Sequence, residues 1–131
     1  MRLLLDTHIW RLSLAAPEKL GKRLRATLAR RGTELWLSPI SVWELLVLAE
    51  RGRIRFATEP RQWVVEALGR TPAHEAPLNH QVAVRSREVL PAHEDPADRF
   101  LIATALVYDL TFVTADETLI RLKPCPILAN R

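Results

Sequence analysis

The sequence predicts an α/β layered fold with a largely parallel central sheet. Short β-like apolar runs alternate with longer helical patterns along the chain, the signature of layered α/β proteins. The first run, Leu3-Leu4-Leu5, is continuously apolar, as a strand covered on both faces must be. The chain has 131 residues, 48% apolar and 26% charged, a composition and length that suit one ordinary hydrophobic core. A single domain over residues 1–131 is expected, without linker, repeat or low-complexity tract.

The elements follow in order. Arg2-Leu3-Leu4-Leu5 reads as a strand closed by Asp6. Pro17-Glu18 opens a helical stretch with Leu20, Leu24 and Leu28 on one face, ended by Gly32. Glu34 to Ser38 is a second strand. Ser41 to Arg51 is a helix with Val42, Leu45, Leu46 and Ala49 on one face and Gly52 after its end. Pro60 to Leu68 forms another amphipathic helix. Ala73 to Leu78 suits a short edge strand, where proline is tolerated. A helix runs from Asn79 to Leu90, and Pro91 begins a loop. Pro96 to Tyr108 is apolar around much of its circumference and should be covered on more than one side. Thr111 to Thr114 is a strand, Asp116 to Leu122 a short helix and Pro126-Ile127-Leu128 a last edge strand.

Composition narrows the chemistry. Cys125 is the only cysteine and the four histidines lack zinc-ligand spacing, which rules out an internal disulfide and an intrachain thiolate site. The N-terminal apolar run reaches Asp6 too soon for a signal peptide or membrane span, so a cytoplasmic protein is expected. The net charge of +4 and pI near 10.0 lean toward a polyanionic partner.

Within this basic chain, four carboxylates sit where a strand ends or a helix begins: Asp6, Glu44, Asp98 and Asp116. Each alone reads as a capping residue. Ser41-Val42-Trp43-Glu44 matches a capping box. Asp95-Pro96-Ala97-Asp98 matches an aspartate N-cap, a first-turn proline and a first-turn acid. Asp116 could cap the helix after it, and Asp6 could end its strand in a turn. Together they point to one site, because ligands of open α/β sheets bind outside the carboxyl ends of the strands. Grouped carboxylates force protons onto one another unless a cation neutralises them. An all-oxygen set suits a hard divalent ion such as Mg²⁺ or Mn²⁺. Thr7 and Thr114 place hydroxyls beside Asp6 and Asp116, where they could orient a carboxylate or a metal-bound water. Asp95 is a further acid of the same region, and Arg99 a phosphate contact or a surface ion-pair partner.

Taken in order, Asp6-Thr7-His8-Ile9-Trp10, Ile40-Ser41-Val42-Trp43-Glu44-Leu45, the run from Asp95-Pro96-Ala97-Asp98-Arg99 to Ala105, and Thr114-Ala115-Asp116 resemble the motifs of PIN-domain proteins. The likeness is strongest to the VapC-type toxins of bacterial toxin–antitoxin pairs, and the Asp98-Arg99 helix motif is its most specific part. The resemblance implies a three-layer α/β/α sandwich and a metal-dependent endoribonuclease. Its acidic site would be Asp6, Glu44, Asp98 and Asp116, binding Mg²⁺ or Mn²⁺. It also implies an RNA substrate, a homodimer and a cognate antitoxin that occludes the site. None of the four acids is replaced, so an active copy is expected.

Asp6 and Asp98 are the first-choice direct ligands, with Glu44 ligating through water or orienting the nucleophile and Asp116 completing a second metal position. Arg51, Arg53 and Arg55 could line an RNA path or form a solvated basic face. Trp36 and Trp63 are read as core residues; Trp10 and Trp43, beside the acidic motifs, could contact substrate or partner, with packing the favoured reading. His8 is not expected to act as a general base, since a metal-activated water needs none. Other readings are a PIN-fold RNA-binding or RNA-processing protein that is not a toxin, a DNA nuclease, and a haloacid-dehalogenase-type phosphotransferase. The last lacks support, because Asp6-Thr7-His8 has no second acid.

Overall fold

The computed structural model describes residues 1–131. Five strands join one all-parallel sheet in the order β3-β2-β1-β4-β5. They are β1 (Arg2–Leu5), β2 (Glu34–Leu37), β3 (Ala73–Glu75), β4 (Thr111–Thr114) and β5 (Ile127–Ala129). Central β1 sets Leu4 opposite Trp36 on one side and Phe112 on the other. The two segments expected at the edges, Ala73 to Leu78 and Pro126 to Leu128, supply the edge strands β3 and β5.

Alternate residues of a strand face opposite ways, and this divides the interior into two cores. Leu4 and Phe112 pack with Val82, Leu101, Ile102 and Leu119. Leu3, Leu5 and Val113 pack with Ile9, Trp10, Leu24, Leu45, Val64 and Ala67. Helices α1 (Thr7–Ala15), α2 (Lys22–Ala29), α3 (Pro39–Glu50) and α4 (Pro60–Arg70) therefore cover one face. Helices α5 (His80–Ser86), α6 (Pro96–Val107) and α7 (Glu117–Leu122) cover the other. The result is the expected α/β/α sandwich. No helix is long and apolar enough to cross a membrane.

Several elements differ from expectation for identifiable reasons. Helix α1 is additional to the expected elements; it starts immediately after Asp6, with no linker to separate it from the strand. The stretch from Pro17 splits into a 3-10 turn (Pro17–Lys19) and α2. Gly21 lies between them, donating its N–H to Asn130 Oδ1 at 2.7 Å, and Leu24 N–H reaches the Arg131 carbonyl at 2.9 Å. A Cβ on Gly21 would lie 1.7 Å from the Arg131 carbonyl carbon. Only glycine lets these segments approach so closely.

Helix α3 begins at Pro39 rather than Ser41. Ser38 is its N-cap and accepts the Ile40 N–H at 3.0 Å, with Pro39 pre-set for the first helical position. The predicted capping box at Ser41 and Glu44 is therefore absent. Helix α5 stops at Ser86 instead of Leu90, and Leu90 takes a left-handed φ of 46° in the following loop.

The strand order fixes where a ligand can sit. From β1 the chain winds outward through β2 and β3, then returns to β4 on the opposite side of β1. Winding reverses between β1 and β4, so a crevice opens beyond their carboxyl ends. Asp6 directly follows β1, and Asp116 follows β4 by two residues.

Candidate active site

Asp6 is the most firmly held acid. Its backbone N–H joins the Val113 carbonyl at 2.9 Å, which continues the β1–β4 pairing beyond the strand. As the N-cap of α1, its Oδ1 accepts the Thr7 N–H at 2.7 Å, while Oδ2 accepts the Thr114 hydroxyl at 2.6 Å. Burial pushes its carboxyl above the usual range, against the pull of those two bonds, and the nearby Glu44 charge adds to the rise.

Asp98 stands in the first turn of α6, whose N-cap is Asp95 with its Oδ1 on the Ala97 N–H at 2.9 Å. Asp98 Oδ2 lies 2.8 Å from His93 Nε2. Burial is the main cause that raises the Asp98 carboxyl to about 6; the His93 hydrogen bond opposes the rise, and the charges of Asp95 and Asp6 reinforce it. Asp116 caps α7, its Oδ1 accepting the Thr118 and Leu119 N–H groups at 2.9 and 3.1 Å. Glu44 lies in the second turn of α3.

These residues meet. Asp6, His8, Glu44, Asp95, Asp98, Ala115 and Asp116 line one cleft of about 340 Å³, with no lysine or arginine among them. A larger concavity of about 550 Å³ lies along α5 and α6, but its charged Arg85 and Glu88 sit 3.8 Å apart and balance each other. Uncompensated charge, not size, distinguishes the acidic cleft. No three acidic, imidazole or thiol side chains are arranged closely enough to hold a metal ion between them. The donor set is nonetheless all oxygen on its acidic side and open to solvent, as suits a hard cation that keeps several waters and shares its remaining positions with a phosphate.

The PIN domain family model matches residues 3–123 of the chain. The chain belongs to the PIN-domain family. It is 33% identical over 122 residues, 88% of each sequence, to the Mycobacterium tuberculosis protein named Ribonuclease VapC22. Among solved structures, this PIN domain superposes on the Rickettsia felis VapBC2 complex bound to a promoter DNA fragment with a TM-score of 0.72 at 13% identity, covering 98% of both chains. The DNA-bound VapBC of Salmonella typhimurium gives 0.70 at 20% identity, covering 100% of this chain and 99% of that one. At those identities the structural likeness establishes the fold.

Within the PIN domain, the supporting residues divide. Thr114 orients Asp6 through its hydroxyl, as expected. Thr7 does so through its backbone N–H, because its own hydroxyl is bonded to Ser41 Oγ at 3.0 Å. Asp95 caps α6 and also lines the cleft. Arg99 is turned away from it. This buried side chain donates to the Ser86 and Arg87 carbonyls, each at 3.0 Å, so it ties the end of α5 to α6 rather than contacting phosphate or a surface acid. His93, which the sequence reading did not single out, is the neighbour of Asp98. Its place in a loop, five residues before the acid, offered no periodic signal.

Trp10 is fully buried, with Nε1 donating to Thr71 Oγ1 at 2.9 Å. Trp63 packs on Phe56, and half-buried Trp36 stacks on Tyr108. Trp43 departs from expectation: it is 53% exposed, in an apolar groove with Ile40, Leu78 and Phe100. Arg51, Arg53 and Arg55 are solvent-exposed at and beyond the end of α3. Cys125 is buried, which pushes its thiol up to about 11 and leaves it unreactive.

Proposed function

We propose that residues 1–131 act as a single PIN domain that is a divalent-metal-dependent endoribonuclease, the cytoplasmic toxin of a toxin–antitoxin pair. One observation carries this reading. Asp6, Glu44, Asp98 and Asp116 share a cleft at the β1/β4 switch point with no lysine or arginine in its lining to balance them. The relative named as a ribonuclease supports the reaction class, and the VapBC complexes support an antitoxin partner. The exposed apolar groove around Trp43 is consistent with surface that a second copy or an antitoxin covers.

Asp6 and Asp98 would hold Mg²⁺ or Mn²⁺ directly, with Glu44 and Asp116 completing the set. When bound, such an ion supplies charge stabilisation at the phosphoryl group and eases deprotonation of water. The remaining work falls to the chain itself. Thr7 and Thr114 fix both oxygens of Asp6, so its carboxylate cannot turn as substrate enters. The starts of α1, α6 and α7, which carry partial positive charge, stand beside Asp6, Asp95, Asp98 and Asp116. Glu44 has no hydrogen-bond partner within the protein and is therefore free to orient the attacking water. Hydrolysis joins that water's oxygen to phosphorus and breaks one phosphodiester P–O bond of the RNA, the departing oxygen taking up a proton.

Controlled expression in bacteria tests the toxin assignment. Growth should arrest with the parent sequence and continue with Asp6→Asn or Asp98→Asn at equal protein levels. Arrest by all three would show that toxicity does not come from this site.

A further inference from the structure

We propose that His93 is a positioning residue for Asp98, holding one carboxylate oxygen so that the other faces the cleft. The inference deepens the metal-site reading above and rests on it. Asp6, Asp95 and Asp116 are helix N-caps, each with an oxygen fixed by a backbone N–H. Asp98 is not a cap. It stands three residues inside α6, and no backbone N–H reaches it. Its one hydrogen bond within the protein is Oδ2 to His93 Nε2 at 2.8 Å. Without that bond, no hydrogen bond within the chain selects the rotation of the carboxylate.

The loop is shaped to deliver the ring. Leu90 takes its left-handed turn, and the His93 N–H closes on the Leu90 carbonyl at 2.8 Å. This brings the side chain back over the start of α6, where ring and carboxylate are both largely shielded, at 21% and 15% exposure. With Asp98 ionised, its carboxylate only accepts hydrogen bonds, and Nε2 is then the donor. Asp98 Oδ1 has no partner within the protein, which leaves it as the oxygen available to a ligand. Partners of this kind, behind a ligating group, typically change metal affinity by 10- to 100-fold when removed.

Calorimetric titration of the metal-free protein with Mn²⁺ tests this, alongside thermal unfolding without metal. The parent should bind, His93→Ala should bind about tenfold more weakly, and His93→Gln, whose amide can donate to the same oxygen, should stay within about twofold of the parent. If His93→Ala does not fold, His93→Leu removes the donor while keeping bulk. Equal Mn²⁺ affinity in the donor-free variant and the parent, with only the unfolding midpoint lowered, would overturn the inference and make His93 a loop staple. Absence of Mn²⁺ binding by the parent would instead defeat the metal reading itself, and this inference with it.

Discussion

Replacing Asp98 with asparagine should make the metal-free protein more stable while abolishing its activity. The Asp98 carboxyl rises from 3.8 to about 6 on folding, chiefly through burial. A group raised in this way favours the folded state most when protonated. Its contribution is fully present below the unfolded value near 3.8 and is lost as pH climbs through about 6. A shift of roughly two units corresponds to about 3 kcal/mol at 1.36 kcal/mol per unit. Solvent still reaches the side chain and screens its neighbours, so about 1–2 kcal/mol is the realistic scale. Asparagine removes the charge but keeps an oxygen that His93 can reach. Denaturant unfolding in the presence of a chelator should therefore find Asp98→Asn more stable than the parent by about 1–2 kcal/mol at pH 8. The advantage should shrink to nothing near pH 4. A variant less stable than the parent at pH 8, or a difference that ignores pH, would refute the electrostatic reasoning.

Two other substitutions separate orienting residues from structural ones. Thr114→Val removes the hydroxyl bonded to Asp6 Oδ2 and should slow RNA cleavage about 10- to 100-fold with the circular dichroism spectrum retained. Arg99→Leu strips the partners from the Ser86 and Arg87 carbonyls and should lower unfolding stability by about 2–4 kcal/mol. Loss of cleavage by Arg99→Leu at unchanged stability would instead place the guanidinium on substrate.

Much of the scaffold was legible because it obeys local rules. The runs at Leu3 to Leu5 and Phe112 to Val113 are apolar without interruption, and both form strands buried between helical layers. Asp95-Pro96 announces the start of α6 by chemistry alone. The four acids were legible as a group because strand ends and helix starts converge at a switch point in a parallel sheet. What escaped depends on longer-range contacts or on competing signals. Ser38 with Pro39 won the cap from Ser41, since a proline at the first helical position suits the geometry better. That shift turned Ser41 toward Thr7 and left Glu44 without a capping role. Arg99 is explained only by carbonyls at the end of α5, and His93 only by the turn at Leu90. Trp43 was read as packing because tryptophan usually is, yet its neighbours form an open groove.

In the proposed function, one acidic cleft cuts RNA with the help of a divalent cation. Incubation of the purified protein with labelled RNA, first in Mn²⁺, then in excess chelator, then with Mn²⁺ restored, tests it most directly. Cleavage should appear, stop and return, and it should be absent throughout with Asp6→Asn, a variant whose folding is confirmed by its unfolding curve. Cleavage that persists in chelator, or that Asp6→Asn carries out at the parental rate, would contradict the account.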